Sequence, residues 1–354
     1  MPKNPKLIDK TTAGRIQTPG PAPADKWLGG LTAEARTAVE RVLAIGGREA
    51  VPAYLVGGPL RDLLLGHPSL DIDIAVEGDA IALAQTVLRG WGIQPDPTAS
   101  TGALRVKTHA AFGTATISGE GFAIDLATAR AETYARPGAL PDVQTASIHE
   151  DLLRRDFTIN AMALRLDGAE RGRLLDPAGG QADLEAGRIR VLHARSFQDD
   201  ATRILRAARY EARLGFRVEE ETLAWLQRDL PYLNTISGAR LHHEFARTLA
   251  EGQPERALLR LQQLGGLEAV FSGLKIDERM AAAFAELRRM RSGLATAYWA
   301  LLARPLDETQ AAAFASRLAL TKPQREAVVA MPSLRRLEDG LGPAHLKRSE
   351  AFEM

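Results

Sequence analysis

Two aspartates flank one isoleucine in Asp71-Ile72-Asp73, inside a stretch over 70–76 that reads as a strand. Residues two apart on a strand share a face, so both carboxylates project together while Ile72 enters the core. Adjacent anions repel and need a cation. Magnesium suits such a pair, because it takes a few carboxylates and completes its shell with phosphate oxygens. Two such ions activate a hydroxyl and stabilise a departing pyrophosphate. Upstream, Gly57-Gly58 lies between a predicted strand over 53–56 and a helix over 60–65 that Pro59 opens and Gly66 stops. With no side chains there, backbone N–H groups and the helix start can approach a phosphate. Arg61 falls on that helix's first turn, within reach of the same phosphates. Alone, an Asp-X-Asp is usually two solvated acids and a Gly-Gly a plain turn; with Arg61 they describe a triphosphate cradle facing a metal site.

A second constellation is Asp199-Asp200-Ala201-Thr202-Arg203. On a helix Asp200 and Arg203 are neighbours on one face, Arg206 continues the row and Arg209 lies nearby. A carboxylate only accepts hydrogen bonds and a guanidinium only donates them. Set against a base edge, Asp200 accepts from the amine of cytosine or adenine, and Arg203 donates to the ring nitrogen or carbonyl beside it. Uracil and guanine present a carbonyl at that point, acceptor against acceptor. The rule is C and A in, U and G out. Seen by itself, the same helix is an amphipathic segment laced with ion pairs.

The elements that must position these groups follow from periodicity. Strands are predicted over 53–56, 70–76, 103–106, 113–117 and 122–127, with Gly119-Glu120-Gly121 turning between the last two. Helical spacing from Leu31 through Val39, Val42 and Leu43 adds a helix before the first of them, giving a mixed α/β head. Beyond about Asp167, Ala, Leu, Arg and Glu recur at spacings of three and four, so the remainder is mostly helical apart from Ile189-Arg190-Val191. Residues 1–25 are Pro-rich and aperiodic and read as a flexible leader. A chain of 354 residues holds two or three packed units. Its lack of cysteine excludes disulfides, Cys-ligated zinc, iron–sulfur clusters and thiol chemistry. With 45 Lys plus Arg against 44 Asp plus Glu, an anionic partner needs a local basic surface rather than net charge. No run reaches the roughly 18–20 apolar residues of a membrane span, and the reading is a cytoplasmic protein.

The run Leu55-Val56-Gly57-Gly58-Pro59-Leu60-Arg61-Asp62 followed by Asp71-Ile72-Asp73 resembles the first motif of the class II tRNA nucleotidyltransferases and bacterial poly(A) polymerases. Arg154-Arg155-Asp156-Phe157-Thr158-Ile159-Asn160-Ala161-Met162 resembles the second, which contacts the nucleotide sugar, and this implies nucleotide binding by Arg154, Asp156 and Asn160. Asp176-Pro177 with Gly179-Gly180 is similar to the third, a hinge-like turn, and Asp199-Asp200-Ala201-Thr202-Arg203 to the fourth, with Asp199 where the family has Glu. Arg130 matches a strand-end arginine that binds the nucleotide, and Asp125 is a candidate third carboxylate.

The resemblance implies an α/β polymerase-β-like nucleotidyltransferase head of five strands over 26–166. An all-α neck with the nucleotide-selecting helix follows over 167–235, then an RNA-binding helical body and tail over 236–354. In the implied reaction a tRNA 3′-hydroxyl attacks the α-phosphate of CTP or, in the CCA version, ATP. Asp71 and Asp73 are the catalytic ligands of Mg2+, pyrophosphate leaves, and Gly57, Gly58, Arg61, Arg130, Asp200, Arg203, Arg206 and Arg209 bind the nucleotide. The segment over 131–143 corresponds to the family's flexible loop; it is compact and Pro-containing, and a stiff loop hinders a change from C to A, which favours CC addition. The basic runs Leu287-Arg288-Arg289-Met290-Arg291 and Lys347-Arg348 fit an RNA backbone. Two alternatives stay open: a poly(A) polymerase, marked by a run of A on unrelated RNA, and a non-catalytic RNA-binding protein on the same fold, against which both retained acids speak. A small-molecule nucleotidyltransferase would not need the long helical body, and no protein partner can be read from the sequence.

Overall fold

The computed structural model describes residues 22–67, 71–90, 105–290 and 294–341, so most of the leader read over 1–25, the start of the strand read over 103–106, Arg291 and Lys347-Arg348 lie outside the described residues. The rest divides into two compact units, one holding 22–135 and 140–194, the other 136–139 and 195–341. Among the described residues no helix is long and apolar enough to cross a membrane.

The first unit opens with α1 (Ala22–Gly29) and α2 (Ala33–Arg48). Thr32 caps α2 by accepting from the Ala35 N–H, and Ala35, Ala38, Val39, Val42 and Leu43 bury one stripe at helical spacing. After β1 (Ala53–Val56), buried at every position, come α3 (Gly57–Leu64), β2 (Ile72–Val76) and α4 (Ala80–Gly90). Next are β3 (Arg105–His109), β4 (Thr114–Gly119), β5 (Phe122–Thr128), β6 (Arg130–Thr133) and β7 (Asp142–Thr145). Then follow α5 (Ile148–Leu153), β8 (Ala163–Arg165), β9 (Leu174–Leu175) and α6 (Gly180–Glu185).

Among the described residues seven strands make one sheet in the order β3-β4-β5-β2-β1-β8-β9, while β6 and β7 pair as a separate hairpin. The five strands expected from the sequence therefore become seven. The two extra ones join at β1, with β8 antiparallel to it and β9 antiparallel to β8. Strands of three and two residues carry no readable alternation, and pairing alone defines them. Only β2 and β5 run parallel in this sheet, with Asp73 opposite Asp125. Their inward neighbours Ile72, Ile74, Ile124 and Leu126 are buried, and α2 and α4 pack on β5.

The second unit is helical. It runs α7 (Ser196–Asp199), α8 (Thr202–Leu214), α9 (Glu220–Asp229), a 3-10 turn Leu230–Thr235, α10 (Gly238–Leu249), α11 (Pro254–Gln263) and α12 (Gly266–Val270). It ends with α13 (Glu278–Met290), α14 (Leu294–Leu302), α15 (Glu308–Arg317) and α16 (Lys322–Leu341). Ile204, Leu205, Ala207 and Ala208 bury the inner stripe of α8, which packs on α10 and α11. The expected mostly helical half is what forms, and its last described helix runs on to Leu341.

Candidate functional site

In the first unit, β1 delivers the chain to Gly57, whose φ of 68° is left-handed and is tolerated because glycine has no Cβ. Helix α3 starts at that residue with no side-chain cap. A Cβ placed on Gly57 would sit 3.3 Å from Arg155 Nη1 and 3.9 Å from Asp73 Oδ2, so the bend, one arginine and one carboxylate share a single small cradle. Asp73 lies on β2, and Asp71 stands exposed just before the strand begins rather than on it. Directly opposite residues of paired strands point to the same face. Asp73, its β5 partner Asp125 and the latter's β4 partner Thr116 therefore form one row, in which the Thr116 hydroxyl donates to Asp125 Oδ1 at 2.6 Å. The candidate third carboxylate is thus next to Asp73 in register.

Arg61 is not on the open face. Only 2% of it is exposed; its Nη1 donates to Asn160 Oδ1 at 2.8 Å, and Nε and Nη2 engage Asp62. Asn160 Nδ2 in turn donates to Asp156 Oδ1 at 3.0 Å. Arg61, Asn160 and Asp156 tie the glycine bend to the second motif from beneath, and all three are buried. This departs from the expectation that Arg61 reaches phosphates from the first turn. A long side chain with a buried amide and a partly exposed carboxylate in range is drawn inward, because unpaired buried polar atoms are costly.

The other arginines form a chain on two carboxylates that the sequence reading did not single out. Glu132 Oε1 accepts from Arg130 Nε at 3.1 Å and from Arg154 Nη1 at 2.9 Å, while Arg130 Nη1 donates to the Phe112 carbonyl at 2.8 Å. Asp151, 1% exposed, takes Arg154 Nη2 on Oδ1 at 2.6 Å and Arg155 Nη2 on Oδ2 at 2.7 Å. It also accepts the backbone N–H of Arg130. Burial alone would push the Asp151 carboxyl up, but Arg155 and Arg154 beside it more than offset this and hold it below the usual carboxylate range. The series Arg130, Glu132, Arg154, Asp151, Arg155 ends at the Gly57 bend. A signal existed in the sequence: Asp151 precedes Arg154 and Arg155 by three and four residues, the spacing of a helical ion pair. Helix α5 is set by a capping box, Ser147 with Glu150, which fixes where that turn starts.

The third motif acts as a turn. Both oxygens of Asp176 accept N–H groups at the start of α6, from Gly180 at 2.6 Å and Gln181 at 3.0 Å. A Cβ on Gly180 would lie 2.3 Å from the Thr158 carbonyl, so only glycine fits.

In the second unit the expected continuous helix through Asp200 is broken. Helix α7 ends at Asp199, Asp200 is extended (φ −142°, ψ 98°), and α8 begins at Thr202. Asp200 Oδ1 accepts from the Thr202 backbone N–H at 2.9 Å and from its hydroxyl at 2.6 Å, and Arg240 Nη2 of α10 lies 2.7 Å from the same oxygen. Arg203 is 5% exposed and donates to Ser196 Oγ. Arg206 and Arg209 approach Glu244 of α10 at 3.6 and 3.1 Å, and both guanidiniums lie over the Tyr210 ring. Arg209 Nη1 and Glu244 Oε2 are close but misaligned, so the contact is an ion pair without a hydrogen bond. Of the predicted base-reading set, Asp200 and Arg206 keep about a fifth of their side chains exposed, whereas Arg203 and Arg209 are buried.

Comparison with known proteins follows the same division. Residues 53–190 match the family model for the poly(A) polymerase head domain, and residues 215–278 that for the probable RNA- and SrmB-binding site of polymerase A. An A-adding tRNA nucleotidyltransferase of Geobacter sulfurreducens is 40% identical over 249 residues, 70% of this chain and 27% of the relative. A CC-adding tRNA nucleotidyltransferase of Deinococcus radiodurans is 40% identical over 229 residues, 64% of this chain and 57% of that protein. The chain thus spans little more than half, or less, of the length of these curated relatives. The solved structure of a CCA-adding enzyme in its apo form II superposes with a TM-score of 0.73 at 32% identity, covering 91% of this chain and 77% of that one.

Proposed function

The chain belongs to the family of the tRNA nucleotidyltransferases and bacterial poly(A) polymerases, and from that premise we propose that it adds CMP, and AMP where the product is CCA, to the 3′ end of tRNA. The observation that carries this reading is the row of carboxylates beside the left-handed glycine: Asp73 and Asp125 in register on parallel strands, Asp71 two residues before Asp73, and a cradle at Gly57 that a Cβ would fill. The donor set is oxygen-only, as a hard divalent cation requires. Among the described residues no group of three or more His, Asp or Glu stands as a metal site, so Asp71, Asp73 and Asp125 do not by themselves form a complete cage. Such a set suits Mg2+, whose shell phosphate oxygens complete. When bound, the cation supplies neutralisation of the triphosphate and activation of the attacking hydroxyl.

The protein's own groups do the rest. The N–H groups at the start of α3 and the guanidinium of Arg155 face the bend where a phosphate would lie. Arg130 and Arg154, held by Glu132 and Asp151, present fixed positive charge instead of searching for it. Asp200 accepts from the exocyclic amine shared by cytosine and adenine, and so disfavours uracil and guanine.

The test is incorporation into tRNA ending before, within and after its CC, with each nucleoside triphosphate supplied separately. CMP or AMP transfer by the native chain, lost in Asp71→Ala at unchanged thermal stability, is expected. A run of A on unrelated RNA with ATP alone assigns the poly(A) reaction instead, and full transfer by Asp71→Ala overturns the site.

A further inference from the structure

Two hydrogen bonds and one ion pair reach Asp200 among the described residues, and the closest contact of each is to Oδ1: the Thr202 N–H donates at 2.9 Å, the Thr202 hydroxyl donates at 2.6 Å, and Arg240 Nη2 lies 2.7 Å away as an ion pair. The Thr202 contacts are local, made by the residue two positions on. The Arg240 contact comes from 40 residues away on α10, and its guanidinium is itself held at a second point, since Nη1 donates to the Gly138 carbonyl at 3.3 Å. Gly138 packs closely on Thr235: a Cβ on it would lie 2.3 Å from Thr235 Oγ1, so only glycine fits there. Both Arg240 and Asp200 keep part of their side chains exposed, 24% and 20%.

An aspartate's terminal torsion is broad and two-fold, so a carboxylate held by its neighbouring residue alone can turn and offer either oxygen. A cation anchored from a second helix removes that freedom. We propose that Arg240 is a positioning residue for nucleotide selection: it pins Oδ1 of Asp200 so that Oδ2 is presented in one orientation to the amine of the incoming base. This inference rests on the reading of Asp200 as the base acceptor. Arg240 itself touches no substrate. Its effect is on which base is taken, since a freely turning carboxylate accepts the correct amine less often and opposes a wrong carbonyl less strictly.

The experiment measures kcat and KM for CTP, ATP, UTP and GTP on a tRNA lacking its terminal nucleotides, using the full chain and its Arg240→Gln and Arg240→Lys variants. Arg240→Gln should lower the ratio of kcat/KM for the accepted nucleotide over UTP on the order of tenfold to a hundredfold, the coupling of one close charged pair. The change should come from a raised KM for the accepted nucleotide and a raised kcat/KM for UTP. Arg240→Lys, which keeps the charge but not the two-point grip, should recover part of the ratio. Adding Arg240→Gln to Asp200→Asn should produce no further loss, because the two act as one unit. An unchanged ratio in Arg240→Gln, or equal losses for all four nucleotides, overturns the proposal. So does an Arg240→Gln loss that persists undiminished in the Asp200→Asn background. If the native chain transfers no nucleotide to any tRNA, it is the functional reading that fails, which separates the two. Should Arg240→Gln fold poorly, the Lys variant alone decides by the same ratio.

Discussion

Replacing Asp151 by Asn changes one buried side chain by a charge and little in shape, and five hydrogen bonds converge there. Breaking a buried ion pair by removing one partner costs about 3–5 kcal/mol. Here the two arginine partners keep 18% and 17% of their side chains exposed, and Arg154 retains Glu132, which lowers the expectation. A loss of about 2–4 kcal/mol for the first unit follows, allowing that Asn still accepts the Arg130 N–H. At roughly 2–4 °C per kcal/mol for a unit of this size, its melting midpoint should fall about 5–15 °C.

The sign of the pH dependence follows from the depressed carboxyl of Asp151. Its contribution is complete above the unfolded carboxylate value of about 3.9 and is lost as the pH falls through the lower folded value. Urea unfolding of the native chain and Asp151→Asn should therefore show a gap that is flat from about pH 5 to 8 and closes below about pH 4. A gap under about 0.5 kcal/mol at neutral pH, or one that widens on acidification, would refute the role given to Asp151.

Gly57→Ala forces a side chain into the left-handed region, at about 1–2 kcal/mol, and places its methyl against Arg155 and Asp73; a raised nucleotide KM with folding intact is expected in steady-state kinetics, and an unchanged KM contradicts the cradle. Glu244→Gln removes the acid that Arg206 and Arg209 share, and should destabilise the helical unit by about 1–3 kcal/mol in urea titration, most of it from the buried Arg209. The compact, Pro-containing segment over 131–143 reads as favouring CC addition, so sequencing of products made with CTP and ATP together should show ends at CC; extension to CCA by the native chain removes that argument and leaves the transferase reading intact.

The bend after β1 was legible because a buried run of four residues meets two glycines and then a proline, a pattern with few other outcomes. Asp73 and Asp125 were legible as strand residues, but their adjacency was not, since it depends on a parallel pairing across an intervening hairpin that local periodicity does not encode. The break before α8 had a local cause that pattern reading passed over: Asp200 accepts from the N–H of Thr202, which competes with a continuous helix. Arg61, Arg203 and Arg209 were read outward because arginine is mostly exposed. Each is buried by partners distant in sequence or on another helix, namely Asn160, Ser196 and Glu244, and no spacing rule announces such pairs.

The two units solve the same problem in the same way. Several guanidiniums crowded together repel one another, and each free arginine side chain carries roughly 2 kcal/mol of rotamer entropy that substrate binding would have to remove. In the first unit Glu132 and Asp151, in the second Glu244, supply the opposing charge and fix the geometry before any nucleotide arrives, so the ordering is completed on folding and not on binding. Asp200 inverts the pattern: it is the acid, and Arg240 is the fixed counter-charge. The consequence is directional. Substitutions at Glu132, Asp151 and Glu244 should appear first in stability and then in KM, whereas a substitution at Arg240 should appear in the choice among bases, because what it fixes is a single acceptor and not a charge field.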